Sequence, residues 1–257
     1  MAALALVLFV VLSVACEVGY RVGQWRRGAS GPSDAESGAA SILTGGMLAL
    51  LAFMLGLTVS FAENRYEARR DLVAAEANAI GTAALRARMI AGAEGEAIAT
   101  LIDDYAHTRL EFTRAALNAP IDRMLSRAAE DQRRIWDLAT VIARRDPTPI
   151  TASLVSALNT MFDSALSQRF AFAGRVPPGV LTLLVIGSVL AIGAMGFQLG
   201  LAGHRQPVLS SLLLLMWVGG MVLAVDLNRP RLGSIRVETE PLEWTIQEMA
   251  PSRPVGP

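Results

Sequence analysis

The sequence predicts an all-α membrane protein with four transmembrane helices and a helical cytoplasmic insertion between spans two and three. Three observations support this fold class. The 257 residues are 53% hydrophobic with a mean hydropathy of +0.42, which is too apolar for a soluble chain of this length. Four apolar runs contain no charged residue. The segment between the second and third runs is rich in the helix formers Ala, Arg, Glu and Leu.

The predicted spans follow from these apolar runs, which cover residues 2–16 (extending weakly to 20), 39–62, 176–203 and 208–225. A helix needs about 20 apolar residues to cross a bilayer, and the last three runs meet that length. The first run is shorter, so a cleaved leader is its alternative. No basic residue precedes it, and Ser13, Val14 and Ala15 before Cys16 form a poor lipoprotein cleavage site, which favours a retained first span.

Arginine bias predicts the orientation, because cytoplasmic loops carry the excess of basic residues. Loops 17–40 and 203–207 carry four arginines, whereas the regions on the opposite side carry eight near the spans. The eight are Arg65, Arg69, Arg70, Arg169, Arg175, Arg229, Arg231 and Arg236. Both termini and the central segment are therefore predicted to be cytoplasmic, in a multi-pass inner-membrane protein.

The predicted domains are a first transmembrane pair at 1–62, a cytoplasmic helical region at 63–175, a second pair at 176–226 and a cytoplasmic tail at 227–257. Glycine and proline breaks at 92–95, 118–120 and 146–149 divide the central region into helices 63–91, 95–118, 120–145 and 149–173. The first continues from the second span without a break. In the last, helical spacing predicts a buried face of Ile150, Leu154, Ala157, Leu158, Met161, Leu166 and Phe170.

Few residues could support catalysis or bind a metal. His107 and His204 are the only histidines. His107 shares a helical face with three acidic residues, Asp103, Asp104 and Glu111, but a carboxylate-bridged di-metal bundle needs a second histidine-bearing helix. An ordinary surface role for His107 is favoured over a weak metal contact. No phosphate loop, nucleophile elbow or zinc-protease motif occurs, so no enzyme activity, metal or cofactor is predicted.

The charge distribution narrows the function further. The 23 basic and 23 acidic residues cancel, so no field recruits nucleic acid. Spans two to four carry no charge before Asp226, which disfavours transport coupled to protons or sodium ions. Passive conduction stays open, because a pore can be gated by a hydrophobic constriction and screened by charges at its mouth.

Two stretches resemble known membrane proteins. Leu55-Gly56-Leu57 precedes Ala62, Arg65, Tyr66, Glu67, Ala68 and Arg69, a pattern similar to that of bacterial bestrophins, apart from a one-residue deletion after Tyr66 and Leu57 in place of Phe. The second stretch is Asp-Leu-Asn-Arg-Pro at 226–230 with Gly233, Ile235, Val237, Pro241 and Leu242. It resembles the closing signature of a bacterial bestrophin-like family of unknown function, which commonly has Asp at the position of Asn228. Tyr66, Glu76-Ala77 and Tyr105 also match that family.

This resemblance implies a homo-oligomeric ring; in bestrophins the ring is a pentameric ion channel whose neck is lined by the second span. Carried onto this chain, the neck positions are Ala49, Phe53 and Leu57. Their four-residue spacing independently places them on one stripe of a helix. A ring of such apolar residues would act as a dewetting gate. The alternative is that the stripe faces lipid or another helix, and that Thr58 and Ser60 mark the inward side.

Charged residues at the inner end of the second span are candidates for a pore mouth: Glu63, Arg65, Glu67 and Arg69. Their signs are mixed, so no ion is predicted, and pairing on the helix surface is the alternative. The small residues Gly45, Gly46, Ala49, Ala52 and Gly56 would allow close helix approach in an oligomer.

The tail is predicted to be anchored by Asp226, Arg229 and Pro230. Asp226 and Arg229 form an i,i+3 ion pair where the last span leaves the membrane, or else the tail docks on a neighbouring subunit.

The sequence thus predicts a bestrophin-like homo-oligomeric ion channel of the bacterial inner membrane, with the lipid bilayer, other copies of the chain and inorganic ions as partners. The alternative is a non-conducting scaffold or sensor that acts through its cytoplasmic helices.

Overall fold

The computed structural model describes residues 1–31, 34–116, 119–231 and 233–250. The helices in these residues are α1 (Ala2–Ser30), α2 (Asp34–Arg88), α3 (Ala93–Arg114), α4 (Ile121–Arg145), α5 (Pro149–Ala173), α6 (Pro178–Ala202), α7 (Pro207–Asn228) and α8 (Glu240–Met249). By length and composition, four stretches could cross a membrane: Ala2–Ala29, Ser37–Arg88, Pro149–Ala202 and Pro207–Asn228. The all-α fold class with four candidate spans is therefore confirmed.

The chain divides into two compact units. The first contains the described residues within 1–65, 175–229 and 233–235, and the second contains those within 66–174, 230–232 and 236–257. α2 contributes to both, because it continues through residue 65 without interruption. The sequence has no helix break after the second apolar run, so it predicts a single long helix there, and α2 confirms this prediction.

In the first unit, α1 packs along α6 with glycine at the contact points. A Cβ atom added to Gly19 would lie 2.0 Å from the carbonyl oxygen of Gly193, and one added to Gly196 would lie 2.1 Å from that of Cys16. Only glycine lets two helix backbones approach so closely. α1 continues to Ser30, well beyond the apolar run that identifies it in the sequence.

Two buried polar contacts complete the first unit. The indole Nε1–H of Trp217 on α7 donates to Ser188 Oγ on α6 at 2.9 Å, so neither polar group is left unsatisfied among apolar side chains. Asn228 Oδ1 accepts a hydrogen bond of 2.7 Å from the backbone N–H of Val176, which ties the end of α7 to the segment before α6. An aspartate at position 228 would offer the same acceptor.

Helix boundaries in the second unit follow local signals. Gly92, at φ 91°, separates α2 from α3. Pro149 occupies the first turn of α5, and the Thr148 Oγ1 accepts from the backbone N–H of Thr151 at 3.3 Å as its N-cap. The predicted breaks at 92–95 and 146–149 therefore agree with the structure within a few residues. Asn118, in the remaining predicted break, lies outside the described residues, as do residues 232 and 251–257 of the predicted tail.

The core of the second unit is formed by apolar side chains from α2, α3, α4, α5 and α8. The prediction for α5 is partly wrong. Ile150, Leu166 and Phe170 are 44%, 65% and 79% exposed, whereas Gln168 and Phe172 are buried. The buried stripe passes through Ala165, and Leu166 is rotated from it by about 100° on the helix. Helical spacing alone did not separate the two faces, because both carry apolar residues.

Candidate functional site

The predicted neck residues lie on an exposed face of α2. Phe53 is 64% and Leu57 43% exposed, and Ala49 is exposed as well. Cβ atoms added to Gly45 or Gly56 would meet no atom within 4 Å. No residue in the described ranges therefore covers this face, which leaves lipid or another copy of the chain as its neighbour.

The opposite face of α2 is the one that packs within the first unit. Leu51 is 4% exposed and Thr58 2%, and the Thr58 hydroxyl donates to the carbonyl of Met54 on its own helix at 2.7 Å. Thr58 is therefore buried within the chain. Ser60 is exposed and lies one helical turn beyond the apolar stripe.

Beyond Ser60, the same helical face becomes polar and acidic. Spacings of four, three and four residues lead from Ser60 to Asn64, Glu67 and Asp71, all of them exposed. Glu63 is exposed at the edge of this face, while Arg65 is half-buried and rotated from Phe53 by about 120°. The acidic face, defined here as Glu63, Glu67 and Asp71, is bordered on the Glu63 side by exposed Arg70, which pairs with Glu238 at 3.0 Å.

Arg69, unlike the other predicted mouth residues, is buried within the chain. Its side chain is 1% exposed, and it donates from Nε to the carbonyl oxygen of Ala171 at 3.1 Å and from Nη2 to that of Gly174 at 2.8 Å. These carbonyls belong to the C-terminal end of α5, where a cation complements the helix dipole. Arg69 therefore holds the end of α5 and does not belong to the exposed set.

The predicted tail anchor has a different arrangement from the expected ion pair. Asp226 is 5% exposed and accepts hydrogen bonds from the Ser234 N–H at 3.0 Å, the Ser234 hydroxyl at 2.7 Å and the Ile235 N–H at 3.4 Å. Within residues 1–31, 34–116, 119–231 and 233–250, no salt bridge joins it to Arg229, which is exposed. Pro230 lies in the turn after α7. Asp226 thus anchors the tail of its own chain by capping backbone groups.

His107 lies on the exposed surface of α3, with its Nε2 3.9 Å from Asp103 Oδ2. Among the residues that the structure describes, no group of three or more His, Cys, Asp or Glu side chains could hold a metal ion. The arrangement is that of a solvated helix surface.

Sequence reasoning missed the polar network at the centre of the second unit. Arg109 on α3 donates to both carboxylate oxygens of Glu76 on α2 and to Gln168 Oε1 on α5. Gln168 in turn donates to Thr113 Oγ1 at 3.3 Å. Glu76 stood out only through the family resemblance, and no local pattern identified Arg109 as its partner.

Comparison with known proteins identifies the family. The Bestrophin-like domain matches residues 5–242. A bacterial bestrophin homologue from Klebsiella pneumoniae carrying a single substitution superposes with a TM-score of 0.71 at 13% identity, covering 95% of this chain and 93% of that one. Another structure of a bacterial bestrophin homologue from the same organism gives 0.65 at 16% identity, covering 96% and 95%.

At these identities the superpositions show a shared fold. No curated protein shows significant similarity to the sequence. The domain match extends over most of the chain, from α1 into α8. The chain is a member of the Bestrophin-like domain family.

Proposed function

We propose that the protein is an ion channel assembled from several copies of the chain, five by the resemblance to bestrophins, with α2 lining the central axis. The observation that supports this most directly is the exposed stripe of Ala49, Phe53 and Leu57. A ring of copies would bring the stripes together around one axis. The small residues beside the stripe leave room for α2 helices to approach one another.

In such a ring, Phe53 and Leu57 form the neck. Neither offers a polar atom to an ion that must shed water, so the neck acts as a gate that opens by wetting and not as a selectivity filter. The uncharged character of the stripe also argues against coupling to a proton or sodium gradient.

Selectivity would then come from the acidic face of α2. Each copy contributes Glu63, Glu67 and Asp71, while Arg69 is buried, Arg65 is turned away and the charge of Arg70 is paired with Glu238. Repeated around an axis, these carboxylates produce a negative potential at one end of the neck. Such a potential concentrates cations and repels anions. The proposed channel therefore favours cations.

The topology proposed for this channel places residues 63–175 and the tail at 227–257 on the cytoplasmic side of the bacterial inner membrane. The arginine bias of the flanking segments supports this side. The acidic face then forms the cytoplasmic mouth of the neck.

Current measurements test the proposal directly. Purified protein in planar bilayers with a KCl gradient should pass current that reverses towards the potassium equilibrium potential. The double variant Glu67→Gln, Asp71→Asn should move the reversal potential towards zero, because it removes two charges per copy. Glu130→Gln is the matched control: this acid lies on α4 and pairs with Arg133 and Arg134, so its loss should leave the reversal potential unchanged.

The outcomes separate the parts of the proposal. Current that reverses towards the chloride potential would contradict the cation preference and leave the channel in place. A monodisperse oligomer that passes no current under any applied voltage would contradict conduction and favour the scaffold or sensor alternative.

A further inference from the structure

A cleft in the second unit opens between α3, α4 and α5. Its volume is about 290 Å³. Leu125 and Phe162 provide apolar walls, and the polar lining comes from Arg109, Gln132, Asp163 and Arg169. Small-molecule sites in proteins have volumes of roughly 300–1,000 Å³, with apolar walls and a few placed polar groups. The volume of the cleft is just below that range, which suits a small ligand.

Arg109 gives the cleft a buried cation with a donor to spare. Its side chain is 3% exposed, and it donates through Nε and Nη2 to Glu76 and Gln168. The remaining nitrogen, Nη1, has no hydrogen-bond partner in the described part of the chain, although the residue lines the cleft. Burial is the largest single effect and acts to lower the pKa of Arg109, but the charge and the hydrogen bond of Glu76, together with Tyr105, raise that pKa overall, so the guanidinium stays charged.

The charges around the cleft select against a simple anion or cation. Asp163 and Arg169 are exposed at its rim, and neither has a salt-bridge partner within the described ranges. Together with the Arg109–Glu76 pair they sum to zero charge. A ligand that carried one net charge would gain an attraction at one group and a repulsion at another.

We propose that this cleft binds a small zwitterionic amino acid with an apolar side chain. Its carboxylate accepts from Arg109, its ammonium group pairs with Asp163, and its side chain packs against Phe162 and Leu125. A carboxylate is the acceptor that suits a guanidinium best. Arg109 also holds Glu76 of α2, so occupancy stabilises the attachment of α2 to α3. The binding does not depend on whether the protein conducts ions.

Calorimetry on the purified full-length oligomer tests this proposal, with L-leucine and L-phenylalanine as probes. Two analogues isolate the charges: 4-methylpentanoate lacks the ammonium group of leucine, and 3-methylbutylamine lacks the carboxylate. Leucine should bind with a Kd of roughly 1 μM to 1 mM, and more tightly than either analogue. Asp163→Asn should weaken leucine binding by about two- to fivefold, the effect of one partly exposed ion pair, and leave binding of the acid analogue unchanged.

Variants that fill the cleft give the spatial control without touching the buried network. Ala129 is exposed and lines the cleft, so Ala129→Trp should abolish leucine binding. Ser126 is exposed on the same helix outside the lining, so Ser126→Trp should leave it intact. The proposal is overturned by the absence of saturable binding of both amino acids, or by binding that survives Ala129→Trp. It is also overturned if Ala129→Trp changes the mass of the oligomer, because the cleft would then hold a second copy of the chain.

Discussion

Arg109 donates to both carboxylate oxygens of Glu76, 33 positions earlier in the chain, and the two side chains are 3% and 0% exposed. The pair joins α3 to α2, and Gln168 extends it to α5. Removing two charges from water is costly, and the cost is recovered only when each polar atom is paired. The carboxylate of Glu76 meets that condition, because each of its two oxygens accepts a hydrogen bond from Arg109.

Removing one member of this ion pair should destabilise the protein more than replacing both members with apolar residues. Glu76→Gln leaves a buried guanidinium without its counter-ion and should lower the free energy of unfolding by about 3–5 kcal/mol. The double variant Glu76→Leu, Arg109→Met should lose less than Glu76→Gln alone, because no buried charge is left. Chemical denaturation in detergent measures both. The exposed pair of Arg145 and Glu94 is the control, and Glu94→Gln should cause a far smaller change. Equal effects of Glu76→Gln and Glu94→Gln would contradict the role assigned to burial.

The α1–α6 contact should tolerate no side chain at its glycines. Gly196→Ala places a methyl group against the carbonyl of Cys16 and should cost about 1–3 kcal/mol, because the two backbones must move apart. Gly45→Ala is the matched control, since its Cβ meets open space in the chain itself. Thermal unfolding of the detergent-solubilised protein distinguishes the two. If Gly45→Ala instead disperses the oligomer without unfolding the chain, α2 packs against another copy at that position.

Some elements of this structure can be predicted from the sequence and others cannot. Hydropathy and helix breaks predicted the spans and helices, because each of these signals is local. The close approach of α1 and α6 at Gly19 and Gly196 was not predicted, because glycines in two separate apolar runs give no sign that they face each other. Close approach of the small residues of α2 in an oligomer stays a prediction. The burial of Arg69 and Arg109 could not be predicted from local sequence signals either. Arg69 binds a carbonyl of α5, and Arg109 binds Glu76 of α2. Because these partners lie many positions away in the sequence, only tertiary packing brings them together.

Removing the bulk of the proposed neck should ease conduction. Phe53→Ala and Leu57→Ala widen an apolar constriction and make it easier to wet, so the single-channel conductance or the open fraction should rise. Leu215→Ala is the control, because Leu215 on α7 is similarly exposed (59%) without belonging to the stripe. Bilayer recordings and cysteine accessibility at position 53 measure the effect. If a conducting protein shows no change in conductance, gating or water accessibility in either variant, the neck lies elsewhere.

Labelling in intact cells tests the orientation. In a Cys16→Ser background, a cysteine replacing Glu130 on α4 should stay unlabelled by a membrane-impermeant thiol reagent until the cells are opened. The arginine bias places this residue in the cytoplasm. A cysteine replacing His204, between α6 and α7, should be labelled from outside and serves as the positive control. Labelling of position 130 in sealed cells would reverse the proposed topology.

The link between Asp226 and Gly233 should appear as strong coupling in a double-mutant cycle. Asp226→Ala leaves the N–H groups of Ser234 and Ile235 without their acceptor and should cost about 1–3 kcal/mol. Gly233→Ala should be damaging for a different reason, because its Cβ would lie 1.8 Å from Asp226 Oδ1 and displace the carboxylate from the same N–H groups. Once Asp226 is alanine, that clash is gone, so Gly233→Ala should add little to the loss. Chemical denaturation of the two single variants and the double variant measures the coupling, with Arg229→Gln as the control for an exposed neighbour outside the cap. Additive losses would show that Gly233 is needed for a reason other than its contact with Asp226.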